Sequence, residues 1–411
     1  MLVMWLFLSV LGIFPYMLVG KMWVWDAIFE AVSTVTSTGF TLLTAASPES
    51  LWLWRGVLGW SGGLTFLWQL VTLIPQASGC FGLTLAFRRG LMFSSVLTQM
   101  TARGRQIVGV YVAVTLLSWG LYSLAGGGFL LALESAMLII STTGGTMRIL
   151  LTDDNRWLEI VTFATCFLAS GNFLRYWRTF KRRDFRDYYR NPEVRFLMWS
   201  VLISGGVLTW HLWLTTPYSL AEALRHGFVQ VFSFMSTAGV QSVTVTDWPD
   251  LAQYILLLAA FFGGCIGSAT GGLKAMRLLI LGKILLAEVR RTLHPRMVTA
   301  ITVGDTSVDT RILGRILCFF FLYVTVFFLF ALLLTLSGLP LYQAVGLAAA
   351  AFTTVGTALS AMPPELSLWA KMVCSLFMLV GRVEIFAVLL LLNFITRDAA
   401  INWRKGRAKR K

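Results

Sequence analysis

The 411 residues predict an all-α polytopic membrane fold built from four helix–loop–helix repeats. Three observations predict it: long apolar runs, the grouping of the basic residues, and a short Ser/Thr–Gly motif that returns four times. Apolar residues make up 57% of the chain and charged residues 13%, with a mean hydropathy of +0.75, well to the apolar side of a water-soluble domain. A helix crossing a hydrocarbon core of about 30 Å needs roughly 20 apolar residues. Leu53–Ile74, Ile107–Leu124 and Ile312–Leu336 supply such runs. A soluble enzyme, a disordered tail and a secreted disulfide scaffold are thereby excluded.

The chain carries 34 Lys and Arg against 19 Asp and Glu, a net charge of +15. Four clusters, Arg88–Arg105, Arg175–Arg195, Lys274–Arg315 and Arg397–Lys411, hold 27 of the 34 basic residues, each between or after apolar runs. Cytoplasmic loops collect Lys and Arg, so all four belong on one face, with the C-terminus inside. Acids such as Asp26, Glu30, Glu49, Asp153, Asp154, Glu159, Glu222, Asp247, Asp250 and Glu365 fall in the intervening segments. The excess charge therefore reports topology in a lipid bilayer; nucleic acid is not expected as a partner, because its readers place basic residues on a folded, solvated surface.

The five cysteines, Cys80, Cys166, Cys265, Cys318 and Cys374, stand singly and read as buried small residues without disulfide or metal spacing. Met1–Val19 lacks a positive n-region and a small-residue cleavage site, so it reads as a first membrane helix, shortened at its cytoplasmic end, rather than a signal peptide.

The recurring motif is Thr36-Ser37-Thr38-Gly39-Phe40, Ser141-Thr142-Thr143-Gly144-Gly145, Ser236-Thr237-Ala238-Gly239-Val240 and Thr353-Thr354-Val355-Gly356-Thr357, its glycines 105, 95 and 117 residues apart. Each copy follows an apolar stretch too short to span, Trp25–Val35, Phe129–Ile140, Leu220–Met235 and Tyr342–Phe352, with a long apolar run on either side. Every unit thus reads as helix, half-helix, loop, helix. The units occupy residues 1–90, 91–190, 191–300 and 301–398, followed by a basic cytoplasmic tail at 399–411. Eight spanning helices and four re-entrant segments result.

Non-helical backbone at membrane depth is tolerated where protein buries it or where it lines a watery cavity. Glycine lets consecutive carbonyls turn the same way, and a neighbouring Ser or Thr hydroxyl adds another oxygen. Four copies arranged with pseudo-fourfold symmetry around one ion pore would replace the water shell of a monovalent cation. The filter residues on this reading are Ser37, Thr38 and Gly39; Thr142, Thr143 and Gly144; Thr237, Ala238 and Gly239; Thr354, Val355 and Gly356. The C-terminal ends of the half-helices would add partial negative charge there. Small-residue helix packing is the competing reading of any one copy.

Midway through the second helix of the third unit the chain reads Gly263–Gly272, with Gly263, Gly264, Gly267, Gly271 and Gly272 beside Ser268 and Thr270. Each interior glycine costs a helix about 0.8–1.0 kcal/mol relative to Ala, so residues 263–274 are expected as an irregular intramembrane loop beneath the filter. GxxxG packing at Gly263/Gly267 and Gly267/Gly271 is the alternative. A phosphate cradle is excluded, because no Gly-Lys-Ser/Thr ending follows. Lys274 closes the loop on the cytoplasmic side, from where its side chain can snorkel. Arg382 lies in the apolar run Met372–Asn393, where a charge marks function. It is expected to face the cavity under the filter, touch carbonyls of the loop and act as a movable electrostatic barrier. Pairing with Glu384 is the bland alternative. Arg148, four residues past the second filter glycine, is expected to pair with Asp153 or Asp154.

These residues resemble the Trk/Ktr/HKT potassium transporter superfamily, and within it the bacterial TrkH-type uptake subunits. The resemblance runs along essentially the whole chain. It rests on Asp26–Ser33 before the first filter, Trp60-Ser61-Gly62-Gly63-Leu64, Tyr188–Phe196, Gly263–Lys274, His294-Pro295 and Gly381–Phe386. It implies potassium uptake across a bacterial inner membrane, with 263–274 as the gate and Arg382 in a barrier role. It also implies a homodimer on a cytoplasmic ring of nucleotide-binding, TrkA/KtrA-like regulatory subunits, and potassium as cargo with no organic cofactor. Within the family a serine at the first filter glycine goes with sodium transport; all four positions here are glycine, which favours potassium. Two features depart from the pattern. Two N-terminal helices common in TrkH-type chains are absent, and the fourth filter reads Thr354-Val355-Gly356-Thr357 where many relatives have an Asn-Leu-Gly-Pro type of sequence.

A membrane enzyme is disfavoured, because His211, His226 and His294 are far apart and lack acyl-transfer or metal-binding spacing. A potassium-conducting subunit of an ATP-driven pump, or a sodium- and potassium-permeable member of the same superfamily, are the nearer alternatives.

Overall fold

The computed structural model describes residues 2–44, 46–73, 96–144, 148, 155–294, 296, 300–304, 306–357 and 366–383. It is almost entirely helical. The first segment contains α1 (Leu2–Leu18), α2 (Val24–Val35) and α3 (Glu49–Leu73). The second contains α4 (Val96–Leu124), α5 (Phe129–Ile140), α6 (Arg156–Ser170), α7 (Phe173–Arg182) and α8 (Phe185–Arg190). Then come α9 (Pro192–Thr215), α10 (Leu220–Met235), α11 (Asp250–Phe262) and α12 (Ala275–Leu293). A two-stranded antiparallel hairpin, β1 (Thr302–Val303) and β2 (Thr306–Ser307), pairs Thr302 with Ser307 and Val303 with Thr306. The last segment contains α13 (Thr310–Thr335), α14 (Leu341–Phe352) and α15 (Leu368–Val383).

The four half-helices α2, α5, α10 and α14 coincide with the four short apolar stretches of the sequence to within a residue. Gly104–Leu124, Pro192–Thr215 and Ile312–Thr335 are long and apolar enough to cross a membrane. With its 25 residues, α3 reaches about 37 Å at 1.5 Å per residue, although Arg55, Gln69 and its polar small residues dilute its apolarity.

The molecule is apolar outside and polar at its centre, the reverse of a water-soluble domain. Trp199, Trp210, Phe321 and Phe328 on α9 and α13 are each more than 60% exposed, whereas Thr36, Ser37 and Thr38 are fully buried. A hydrocarbon solvent accounts for both, since lipid accepts bare apolar side chains and unpaired backbone must hide from it. Three apolar clusters surround the polar centre: one from α1–α4, one from α4–α6 and α9–α11, and one joining α2 to α13–α15.

Three expectations change. The second helix of the second unit is not one span: α6 and α7 meet at 95°. At the break Ser170 O accepts from Cys265 N at 2.8 Å, Phe173 N donates to Gly267 O at 3.2 Å, and the Asn172 side chain caps α7 through Arg175 N. The helix ladder is therefore interrupted by a loop 94 to 95 residues away in sequence, which no local pattern announces. GxxxG packing at 263–271 is excluded, because Gly263, Gly267 and Gly272 have φ of 70°, 86° and 71°, outside any right-handed helix. Finally, Cys166, Cys265 and Cys374 are buried and free, but Cys318 is exposed on the outer face of α13, where lipid replaces water as its neighbour. Cys80 lies outside the described residues.

Candidate functional site

Each half-helix ends in the same backbone turn. Thr36, Ser141, Ser236 and Thr353 cap α2, α5, α10 and α14 with φ between −75° and −79°. The next residues, Ser37, Thr142, Thr237 and Thr354, are all left-handed, with φ of 55°, 57°, 52° and 58°. Thr38, Thr143, Ala238 and Val355 then donate their N–H to the carbonyl five residues back, at 2.9, 2.8, 3.0 and 3.1 Å. This is the Schellman arrangement, in which glycine normally holds the left-handed place. Ser or Thr there costs about 1–2 kcal/mol and persists only where surroundings over-determine it.

The glycine that follows is required by close approach. A Cβ on Gly144 would strike the carbonyl oxygen of Ala238, one on Gly239 that of Val355, and one on Gly356 that of Thr38. Loop 2 therefore abuts loop 3, loop 3 abuts loop 4, and loop 4 abuts loop 1. Every predicted filter residue, from Ser37 to Gly356, sits in these abutting turns at the C-terminal ends of the half-helices. Those ends carry partial negative charge, which favours a cation at their convergence.

The left-handed hydroxyls explain their own strain. Thr142 Oγ1 donates to Ala269 O at 3.0 Å, Gly271 N donates to Thr237 Oγ1 at 2.9 Å, and Arg382 Nη2 donates to Ser37 Oγ at 3.3 Å. All three reach the glycine-rich segment or the arginine beside it. Thr354 Oγ1 is buried with no hydrogen-bond partner among the described residues, yet a Cβ on Gly271 would collide with it. The segment 263–274 thus lies directly against turns 2, 3 and 4, and is joined to turn 1 through Arg382.

That segment is a closed, internally bonded loop. Gly264 N donates to Thr270 Oγ1 at 2.9 Å, Ser268 and Thr270 share a hydroxyl bond of 2.6 Å, and Leu273 N reaches Phe261 O at 3.0 Å. From below, Glu193 at the start of α9 accepts Ile266 N at 2.6 Å, and the α6–α7 break takes Cys265 and Gly267 as described. Arg382 Nη1 donates to Ala269 O at 2.6 Å, with its guanidinium 4.2 Å from the centre of the Phe66 ring. Glu384 lies outside the described residues.

Lys274 does not snorkel. It is buried, its Nζ bonds Thr270 O and lies 3.0 Å from Thr270 Oγ1, and it rests 5.7 Å over the Phe66 ring. The carbonyls of a loop held off water satisfy the ammonium better than a route past α12 to the surface. Arg148 lies 3.6 Å from Glu49 and 4.0 Å from Glu134, over the Trp52 ring; Asp153 and Asp154 lie outside the described residues.

Sequence reasoning missed Arg55. It is fully buried on α3, donates from Nη2 to Gly39 O at 2.6 Å, and its Nε lies 3.5 Å from Glu30. Glu30 in turn accepts Thr41 Oγ1 at 2.8 Å and Leu42 N at 2.7 Å. The signal was a lone arginine in an apolar run, the same signal that singled out Arg382. Lys371 of α15 pairs with Asp26 of α2 at 2.5 Å and ties the last helix to the first half-helix.

Comparison with known proteins gives a consistent answer. The TrkH family profile, described as cation transport protein, matches residues 153–404. Trk system potassium uptake protein TrkH of Halomonas elongata is 31% identical over 403 residues, covering 94% of this chain and 83% of its own length. Trk system potassium uptake protein TrkG of Escherichia coli (strain K12) is 28% identical, covering 95% of this chain and 82% of its own. The crystal structure of the potassium transporter TrkH from Vibrio parahaemolyticus matches with a TM-score of 0.85 at 26% identity, over 95% of this chain and 83% of that one. With its four turns, its buried polar centre and its apolar exterior, the chain is a multi-pass membrane protein and belongs to the TrkH family of cation transport proteins.

Proposed function

We propose that the chain carries potassium across the bacterial inner membrane through the ring of four turns, with 263–274 as the gate. The observation that supports this reading is the repeated left-handed Ser/Thr turn, four times over, with turn 2 against 3, 3 against 4 and 4 against 1, and the glycine-rich loop against three of them and bridged to the first by Arg382. Rings of carbonyl and hydroxyl oxygens are what a dehydrated alkali cation requires. The names of the relatives, potassium uptake proteins of a Trk system, agree with it.

Arg382 is the gate's electrostatic component on this reading. A guanidinium bonded to both Ala269 O and Ser37 Oγ bridges the loop to the first filter and sets a positive charge on the ion's path. Opening moves the loop and the arginine together. The membrane potential drives uptake at about 2.3 kcal/mol per charge per 100 mV, enough for roughly fiftyfold accumulation. The basic clusters support a cytoplasmic C-terminus, and the name Trk system supports a multi-component assembly; a homodimer working with a cytoplasmic ring of nucleotide-binding subunits is the form that the family resemblance implies.

The test is growth at low potassium of cells lacking their own uptake systems, with and without a co-expressed regulatory ring. Restored growth is expected; unchanged growth despite confirmed membrane insertion overturns the reading. Arg382→Gln is expected to raise rubidium flux severalfold in the same cells, and flux equal to that of the parent chain removes the arginine from the barrier.

A further inference from the structure

The glycine carbonyls of the filter are not equivalent. Gly239 O of loop 3 accepts a hydrogen bond from Thr357 Oγ1, which stands one residue past the glycine of loop 4. Gly39 O of loop 1 accepts from Arg55 Nη2 at 2.6 Å. Loops 1 and 3 do not follow one another in the contact order, in which 2 meets 3, 3 meets 4 and 4 meets 1. The two engaged carbonyls therefore belong to opposite sides of the ring, and each is held by a donor from outside its own loop.

A carbonyl that accepts a protein donor offers less charge, and a more constrained direction, to an ion. We propose that Thr357 is a specificity-determining residue of the filter: its hydroxyl withdraws the Gly239 carbonyl from the ring and lowers the number of oxygens available to potassium at the glycine level. This inference rests on the potassium reading above. The number of coordinating carbonyls is one of the quantities that separate potassium from sodium, because each fully available oxygen replaces part of the shell lost on entry. Thr357 suits the role better than Arg55 as a site of adjustment. Its hydroxyl is neutral, so removing it leaves no buried charge behind, and the carbonyl it releases has the ion as its alternative partner. The side chain also lies close enough to loop 3 that a Cβ on Gly239 would sit 2.9 Å from its oxygen.

The experiment is rubidium influx into proteoliposomes containing the full chain, with potassium, sodium and lithium as competitors. Thr357→Val keeps the shape and removes the donor; Thr357→Ser keeps the donor and removes the methyl. The valine variant is expected to lower the half-saturating rubidium concentration, and to weaken inhibition by sodium, each by about threefold or more, the scale of one neutral hydrogen bond. The serine variant is expected to match the parent chain in both. Should the valine variant not fold, Thr357→Ala provides a second chain without the hydroxyl, with the same expectation. A hydroxyl-free variant that folds with both quantities unchanged overturns the proposal. So does a serine variant that shifts them as far as valine does, because packing of the methyl would then be responsible. A parent chain that takes up sodium and no rubidium overturns the potassium reading itself, an outcome distinct from the other two.

Discussion

Among the described residues, loops 1 and 3 are braced from behind by side chains of their own half-helices, and loops 2 and 4 are not. Six residues before the filter glycine, Ser33 donates to Phe40 O at 2.8 Å and Ser233 donates to Val240 O at 2.7 Å. Nine residues before it, Glu30 holds Thr41 and Leu42, while Gln230 Nε2 donates to Ser242 Oγ at 3.0 Å. The corresponding residues in unit 2 are Leu138 and Ser135, and in unit 4 Ala350 and Leu347. Neither Leu138 nor Ala350 has a hydroxyl, and Ser135 bonds the carbonyl of Leu131 in its own helix. Among the described residues, a motif repeated four times is thus supported at two copies, loops 1 and 3. The comparison teaches that backbone geometry here follows the repeat, whereas side-chain bracing follows alternate copies.

The comparison breaks hardest at Arg55. Replacing it by Met leaves Glu30 buried without its ion partner, a loss of about 3–5 kcal/mol. A large fall in unfolding temperature in detergent is expected, with part of it recovered in the Glu30→Gln/Arg55→Met double variant because the two sites share one interaction. An Arg55→Met chain as stable as its parent would mean that loop 1 needs no such brace.

Ser33→Ala and Ser233→Ala sharpen the contrast at intermediate size. Each strips a buried carbonyl of its donor, about 1–3 kcal/mol. The expected result is lower thermal stability together with weaker discrimination of rubidium from sodium in influx assays. If Ser135→Ala, at a hydroxyl that bonds within its own helix, lowers both as much, the alternation carries no weight.

The smallest difference is expected among the left-handed hydroxyls. Thr142→Val removes the bond to Ala269 O and is expected to loosen the glycine-rich loop by about 1 kcal/mol, seen as faster hydrogen exchange over 263–274. Thr354→Val removes a hydroxyl without a partner among the described residues and should leave exchange unchanged, as its neighbour in space, Gly271, is held by Thr237 instead. Equal acceleration in both variants would show that the side-chain bond to the loop is not what holds it.

Much of this site was legible before folding. The half-helices Phe129–Ile140 and Leu220–Met235 were bounded to the residue, because a short apolar stretch ending in Ser/Thr-Gly is a local signal. The break in the glycine-rich segment was legible for the same reason, as five glycines in ten residues oppose a helix wherever they fall. Arg382 announced itself as a charge in an apolar run. Arg55 sent the same message, but its partners, Gly39 and Glu30, are brought to it only by the turn between α2 and α3. Lys274 was assigned wrong surroundings, since the nearest water in sequence is not the nearest in space.

The chain's order of apolar runs, basic clusters and Ser/Thr-Gly turns determined by itself that this is a membrane protein of four like units. Those properties are set by solvent preference and by local backbone sterics, which act over a few residues. Which hydroxyl meets which carbonyl, why α6 breaks at Ser170, and which filter oxygens already have donors were decided only in three dimensions. They depend on contacts between segments up to 345 residues apart, such as Arg382 with Ser37, and no window along the sequence spans them.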